Sequence, residues 1–128
     1  MVKLEIIVGL LVILATIGTI VGANMYEDSL AKGRKTIEIT AQAPEKGNWN
    51  PREITVNLGE PVRLRIRNID TVSHGFAIPE LDVGVYEIKP GEAIIVDFKP
   101  EKKGTFLFTC TVWCSPRHLE MTGKIIVK

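Results

Sequence analysis

Hydrophobic and polar positions alternate along this chain in two different regimes. From Ile6 to Ala23 nearly every position is apolar, interrupted only by Thr16, Thr19 and glycines, and no charge appears from Ile6 to Tyr26. A helix that crosses a bilayer needs about 20 such residues, so residues 1–26 are predicted to be a transmembrane anchor. Lys3 and the small residues Val21-Gly22-Ala23 also suit a cleaved signal peptide. The run, however, is longer than the ~7–15 residues usual for a signal core, which favours a retained anchor. Residues 27–35 are polar and contain Gly33, and they read as a linker with room for a short continuation of the helix.

From Thr36 the period changes to two. Ile37, Ile39 and Ala41 mark a first strand, Ile54, Val56 and Leu58 a second, and Val62, Leu64 and Ile66 a third. Arg63, Arg65 and Arg67 interleave with the third set, which predicts a solvated outer face. Pro44–Pro51 and Asn68–Ser73 read as loops, the second delivering His74. Val83–Ile88, Ala93–Phe98, Gly104–Thr109 and Gly123–Val127 follow as strands, with turns at Gly59-Glu60-Pro61 and Lys89-Pro90-Gly91-Glu92. Strands recurring about every 8–12 residues between Gly and Pro turns predict an all-β sandwich or barrel over residues 36–128. Two sheets about 10 Å apart let an end loop gather residues that are distant in sequence.

Composition narrows the function. A chain of 128 residues holds one such domain, and 16 basic against 15 acidic side chains give no field for nucleic acid. The chemistry concentrates in Cys110–Met121, which carries both cysteines, His118 and the one methionine well inside the polar part of the chain. A disulfide is one reading of Cys110 and Cys114 outside the cytosol, although so small a loop gives little entropic stabilisation. Zinc held by both cysteines, His74 and His118 is a second, but it leaves Met121 without a role. Thiolate, imidazole and thioether together suit copper best. His74, Cys114, His118 and Met121 would serve a mononuclear blue site, with Cys110 left as an idle thiol beside a redox metal. A dinuclear site employs both cysteines.

The pattern Cys110-x3-Cys114-x3-His118-x2-Met121, with His74-Gly75-Phe76 upstream, resembles the ligand set of the copper-A cupredoxin family. That family occurs in subunit II of haem–copper oxidases and in the C-terminal domain of nitrous oxide reductases, and the phrase His118-Leu119-Glu120-Met121-Thr122-Gly123 is similar to the reductase version. The resemblance spans about Thr36–Lys128 and implies a cupredoxin fold, a Greek-key β-sandwich, here preceded by one N-terminal transmembrane helix. It implies two copper ions per chain bridged by Cys110 and Cys114. His74 and Met121 would complete one copper, and His118 and the backbone carbonyl of Val112 the other. Val112 stands where oxidases usually carry a magnesium-binding Glu, and Pro116 has no N–H to offer a ligand sulfur. Trp49 and Trp113 read as packing residues rather than as substitutes for the aromatic run that precedes many oxidase domains.

The function implied is electron transfer, with no catalysis by this chain alone, as the redox subunit of a cytochrome oxidase-type complex. Its expected partners are a haem-containing oxidase subunit in the membrane and a soluble donor such as a cytochrome c or a small copper protein. An anchored copper chaperone and a standalone carrier are the alternatives. A whole nitrous oxide reductase is not expected, because 128 residues leave no room for its catalytic domain. The soluble part is expected on the extracytoplasmic face. That orientation rests on the site, because Lys32, Arg34 and Lys35 outweigh Lys3 in the positive-inside count.

Overall fold

The structure is a computed structural model and describes residues 3–128. Helix α1 runs from Leu4 to Lys32. Its Leu4–Ser29 portion is exposed and is long and apolar enough to cross a membrane. Thr16 and Thr19 return their hydroxyls to the helix, donating to the carbonyls of Ile13 (2.9 Å) and Thr16 (2.8 Å), so neither leaves an unpaired hydroxyl on its apolar surface. The helix continues through Glu27 and Asp28 to Lys32, so the continuation for which the 27–35 stretch left room takes up most of it. Asn24–Lys32 contains neither Gly nor Pro, and the first helix breaker is Gly33. Residues 33–34 alone separate α1 from the first strand.

Residues 34–128 form a separate compact unit of two mixed sheets. The first sheet contains β1 (Lys35–Ala41), β2 (Trp49–Asn50), β4 (Val62–Asn68) and β7 (Ala93–Phe98), in the order β2-β1-β4-β7. The second contains β3 (Glu53–Val56), β5 (His74–Ile78), β6 (Val83–Ile88), β8 (Gly104–Thr109) and β9 (Thr122–Val127), in the order β3-β9-β8-β5-β6. β1 lies parallel to β4 and β3 parallel to β9, while the other pairs are antiparallel.

Alternation along β4 explains the layering. Val62, Leu64 and Ile66 are fully buried, while Arg65 and Arg67 point to solvent and Arg63 is half-buried. The guanidinium of Arg63 donates twice to Asp97 at 2.8 Å, and Arg34 donates to the same carboxylate at 2.7 Å, which holds Asp97 below the ordinary carboxylate range. Between the sheets Trp49, Phe76 and Phe108 make an aromatic cluster with centroids 5.6–5.8 Å apart, two of its contacts edge-on. The turn before β7 has Pro90 followed by Gly91 at φ +77°, and Glu92 N–H donates to the Lys89 carbonyl at 3.0 Å. That is the positive φ a type II turn requires of its third residue.

Some elements differ from expectation. β2 is a two-residue strand inside the segment read as a loop, too short to display a period. β3 ends at Val56, and Leu58 lies beyond it, held by an N–H bond to the Lys128 carbonyl at 2.9 Å. The 68–73 loop delivers His74 as the first residue of β5, a strand for which no alternation had been marked.

The two faces of β4 should respond differently to truncation. Leu64→Ala is expected to cost about 2–5 kcal/mol through lost burial and a residual cavity. Arg67→Ala should stay within about 0.5 kcal/mol. Urea unfolding of the metal-free chain checks both, and equal costs would contradict the assignment of faces.

Candidate metal centre

Strand register gathers the chemistry at one end of the sandwich. β8 and β9 pair up to Thr109 opposite Thr122, and the next rung is the Cys110 N–H donating to the Met121 carbonyl at 3.1 Å. Cys110 and Met121 are therefore fixed across the base of their own loop. β5 lies on the other side of β8, paired through Ala77 and Thr109, and this brings His74 alongside Cys110. Gly75 permits the approach. A Cβ there would lie 2.0 Å from the Thr111 hydroxyl oxygen and 2.7 Å from the Tyr86 carbonyl, and the second of these is backbone that cannot rotate away. The loop carries a short 3-10 turn at His118–Glu120, tied by His118 N–H to Ser115 O (3.0 Å) and Met121 N–H to His118 O (3.0 Å).

The donor atoms fall into two sets joined by the cysteines. Cys110 Sγ lies 3.7 Å from His74 Nδ1 and 3.2 Å from the Val112 carbonyl oxygen. Cys114 Sγ lies 3.5 Å from His118 Nδ1 and 3.7 Å from Met121 Sδ. Candidate donor atoms of His74, Cys110 and Cys114 lie within 4.8 Å of one another. Both cysteines are free, so the disulfide reading does not hold in this structure. His74, both cysteines and Met121 are buried, and His118 is half-buried at the rim. A buried cluster of two thiols, two imidazoles, a thioether and a carbonyl fits soft-to-borderline copper ions. Backbone also reaches the sulfur from outside the loop, since the Gly75 N–H donates to Cys110 Sγ at 3.5 Å.

Burial shapes the protonation of these groups. Removal from solvent, followed by the nearby Cys110, pushes the Cys114 thiol up to about 12. Burial lowers the His74 imidazole and so favours the neutral form that ligates metal, while its hydrogen bond to Asp70 opposes the shift. For Asp70, burial alone would raise the carboxyl. The Lys46 ammonium and the Ala43 and Thr71 N–H groups outweigh it and hold the group well below the carboxylate range.

Two features around the ligands were not legible beforehand. Asp70, buried in the 68–73 loop, contacts His74 Nε2 at 3.2 Å, and nothing in its sequence context separates it from an ordinary loop acid. Trp113 is not a packing residue: it is 71% exposed, at the outer tip of the ligand loop, with its ring tilted against His118 at a centroid distance of 5.8 Å. Trp49 does pack, fully buried, and its indole N–H donates to the Met121 carbonyl at 3.1 Å, bracing the loop from the core.

The cupredoxin-like domain family matches residues 10–127. The chain is 38% identical over 100 residues to the nitrous-oxide reductase of Ralstonia nicotianae (strain ATCC BAA-1114 / GMI1000), covering 75% of this chain and 15% of that protein. It is 30% identical over 80 residues to cytochrome c oxidase subunit 2 of Thermus thermophilus, covering 62% of this chain and 58% of that one. The chain thus spans under two thirds of the length of both relatives. The periplasmic domain of subunit II of cytochrome oxidase from Bradyrhizobium japonicum superposes with a TM-score of 0.59 at 25% identity, over 73% of this chain and 83% of that domain. A chain of a heme-copper terminal oxidase dimer shares the fold with a TM-score of 0.63 at 23% identity, over 94% of this chain and 97% of that chain.

Metal uptake should depend steeply on pH. The Cys114 thiol is protonated through the neutral range and must lose its proton to become a ligand, so loading releases protons. Apparent affinity should rise about tenfold per pH unit for each thiol proton released. Competition titrations between pH 6 and 8 check this, and Cys114→Ser should make the slope shallower. A pH-independent affinity would contradict it.

Proposed function

We propose for this chain, which belongs to the family of cupredoxin-like domains, a role as the subunit II-type module that accepts electrons for a haem–copper terminal oxidase, using two copper ions. Copper binding and electron transfer follow from the family, whose relatives here are the oxidase subunit and nitrous-oxide reductase. The nuclearity, the ligand assignment and the physiological partners are the finer part of the proposal.

The observation that carries it is the pairing of each buried cysteine with its own histidine and a further donor. Cys110 has His74 and the Val112 carbonyl beside it, and Cys114 has His118 and Met121. The sharing of the remaining donors follows the family resemblance: both sulfurs would serve both ions, with His74 and Met121 completing one and His118 and the Val112 carbonyl the other. Bound there, a copper pair sharing two thiolates supplies a one-electron couple whose charge is spread over both ions. The chain's contribution is to hold the donors still. Cys110 and Met121 are pinned on a β rung, Met121 O also accepts from Trp49, and His74 is anchored from behind by Asp70. A scaffold that resists relaxation keeps ligand geometry similar in both redox states.

Burial favours electron transfer over copper delivery, because a chaperone must release its cargo through exposed ligands. Only His118 of the side-chain donors reaches the rim, and the exposed Trp113 stands against it. That edge is the proposed place where a soluble donor such as a cytochrome c or a small copper protein hands over its electron. Helix α1 is proposed as a retained anchor that holds the domain on the extracytoplasmic face, over a haem-containing membrane subunit.

The loaded chain is expected to hold two coppers and to be purple, with an electron paramagnetic resonance spectrum of one unpaired electron shared by both ions. Cys110→Ser should reduce the content to one copper and localise the spin. A blue wild-type protein with one copper, or rapid loss of copper to a chelator with no stable half-reduced state, would overturn the reading.

A further inference from the structure

The carboxylate of Asp70 lies outside the ligand set, yet one hydrogen bond behind it. Its side chain is only 1% exposed, and its oxygens accept from the Ala43 N–H (2.8 Å), the Thr71 N–H (2.7 Å) and the Lys46 ammonium (2.6 Å), with His74 Nε2 at 3.2 Å. An ionised carboxylate can only accept. The proton at this contact therefore belongs to Nε2, and the lone pair of the imidazole sits on Nδ1, the atom that faces Cys110 Sγ at 3.7 Å. Lys46 differs from the other partners of Asp70. Its side chain is half exposed, and it is held in place by a tight turn in which the N–H groups of Lys46, Gly47 and Asn48 all donate to the Ala43 carbonyl at 2.8–3.2 Å.

We propose that Lys46 and Asp70 act as a charged clamp on His74: Asp70 fixes the tautomer that turns Nδ1 toward the metal, and Lys46, from the solvent side, sets how strongly the carboxylate draws on the imidazole proton. The clamp rests on the copper centre proposed above. An outer carboxylate makes a ligating imidazole a better electron donor. An ammonium on the same carboxylate competes for its charge and moderates that effect. Removing the ammonium leaves the imidazole more electron-rich, which stabilises the oxidised metal and lowers the reduction potential. Removing the carboxylate charge does the opposite. These are positioning residues, since both act through His74 and neither belongs to the candidate ligand set.

The test uses the full chain in detergent micelles. In the copper-free protein, nitrogen-15 spectra of the His74 ring should show the proton on Nε2, and Asp70→Asn should give a mixture of tautomers. A wild-type ring protonated on Nδ1 overturns the clamp. In the loaded protein, Lys46→Met should lower the reduction potential and Lys46→Arg should leave it unchanged. Asp70→Asn should raise it and weaken copper binding about 10–100-fold. Lys46→Met added to Asp70→Asn should cause no further change. Full additivity in that double variant would mark a through-space charge effect and overturn the proposal, as would a Lys46→Met potential equal to wild type. A wild-type chain that takes up no copper would refute the copper reading, while the tautomer of His74 would still decide the clamp.

Discussion

Everything at the metal centre depends on one rung of β-structure, the Cys110 N–H to Met121 carbonyl bond that extends the β8–β9 ladder by a step past its last side-chain pair. It closes a loop whose ends are both ligand candidates, so the separation of a thiol from a thioether is set by backbone geometry rather than by side-chain choice. The neighbouring strand β5 then supplies His74, and it can come close only because position 75 has no side chain. The site is thus a consequence of register, and its rigidity is that of the sheet.

The layers behind the site serve that rigidity. Trp49 belongs to the aromatic cluster between the sheets and also donates to the Met121 carbonyl, so the core and the ligand loop share a residue. Asn48 reaches from the adjoining turn to the Glu120 carbonyl at 3.0 Å, which ties the 3-10 turn bearing His118 to the opposite sheet. Asp70 draws the 43–48 turn, its own loop and His74 together in a single buried ion. A buried carboxylate is costly unless every lone pair has a partner. Here the ammonium and N–H donors meet that demand.

How far the residues alone disclosed this depends on the range of each interaction. Alternation at Val62–Ile66 and the Pro90-Gly91 turn could be read directly, because period and turn chemistry are local properties. The ligand loop was legible for the same reason: Cys110, Cys114, His118 and Met121 lie within one turn-rich segment, and His74 stood out as the other histidine in the chain. Strand β2 was missed because two residues cannot display a period, and how far the helix continues past residue 26 was left open because polarity, not helix propensity, marks that stretch. The Lys46–Asp70–His74 chain joins residues 24 and 4 positions apart through side chains alone. No local pattern encodes such a contact. Trp113 was misread because size suggests burial, whereas its place at the tip of a loop between two ligands turns it outward.

The proposed centre stands or falls on two sulfurs being shared between two metal ions at the end of a β-sandwich. X-ray absorption at the copper edge, recorded on the fully loaded chain, addresses it most directly. Copper in the wild-type chain should show sulfur and nitrogen neighbours together with scattering from a second copper, lost when Cys110 is replaced by serine. A copper with a single sulfur neighbour and no copper partner in the wild-type chain would contradict it.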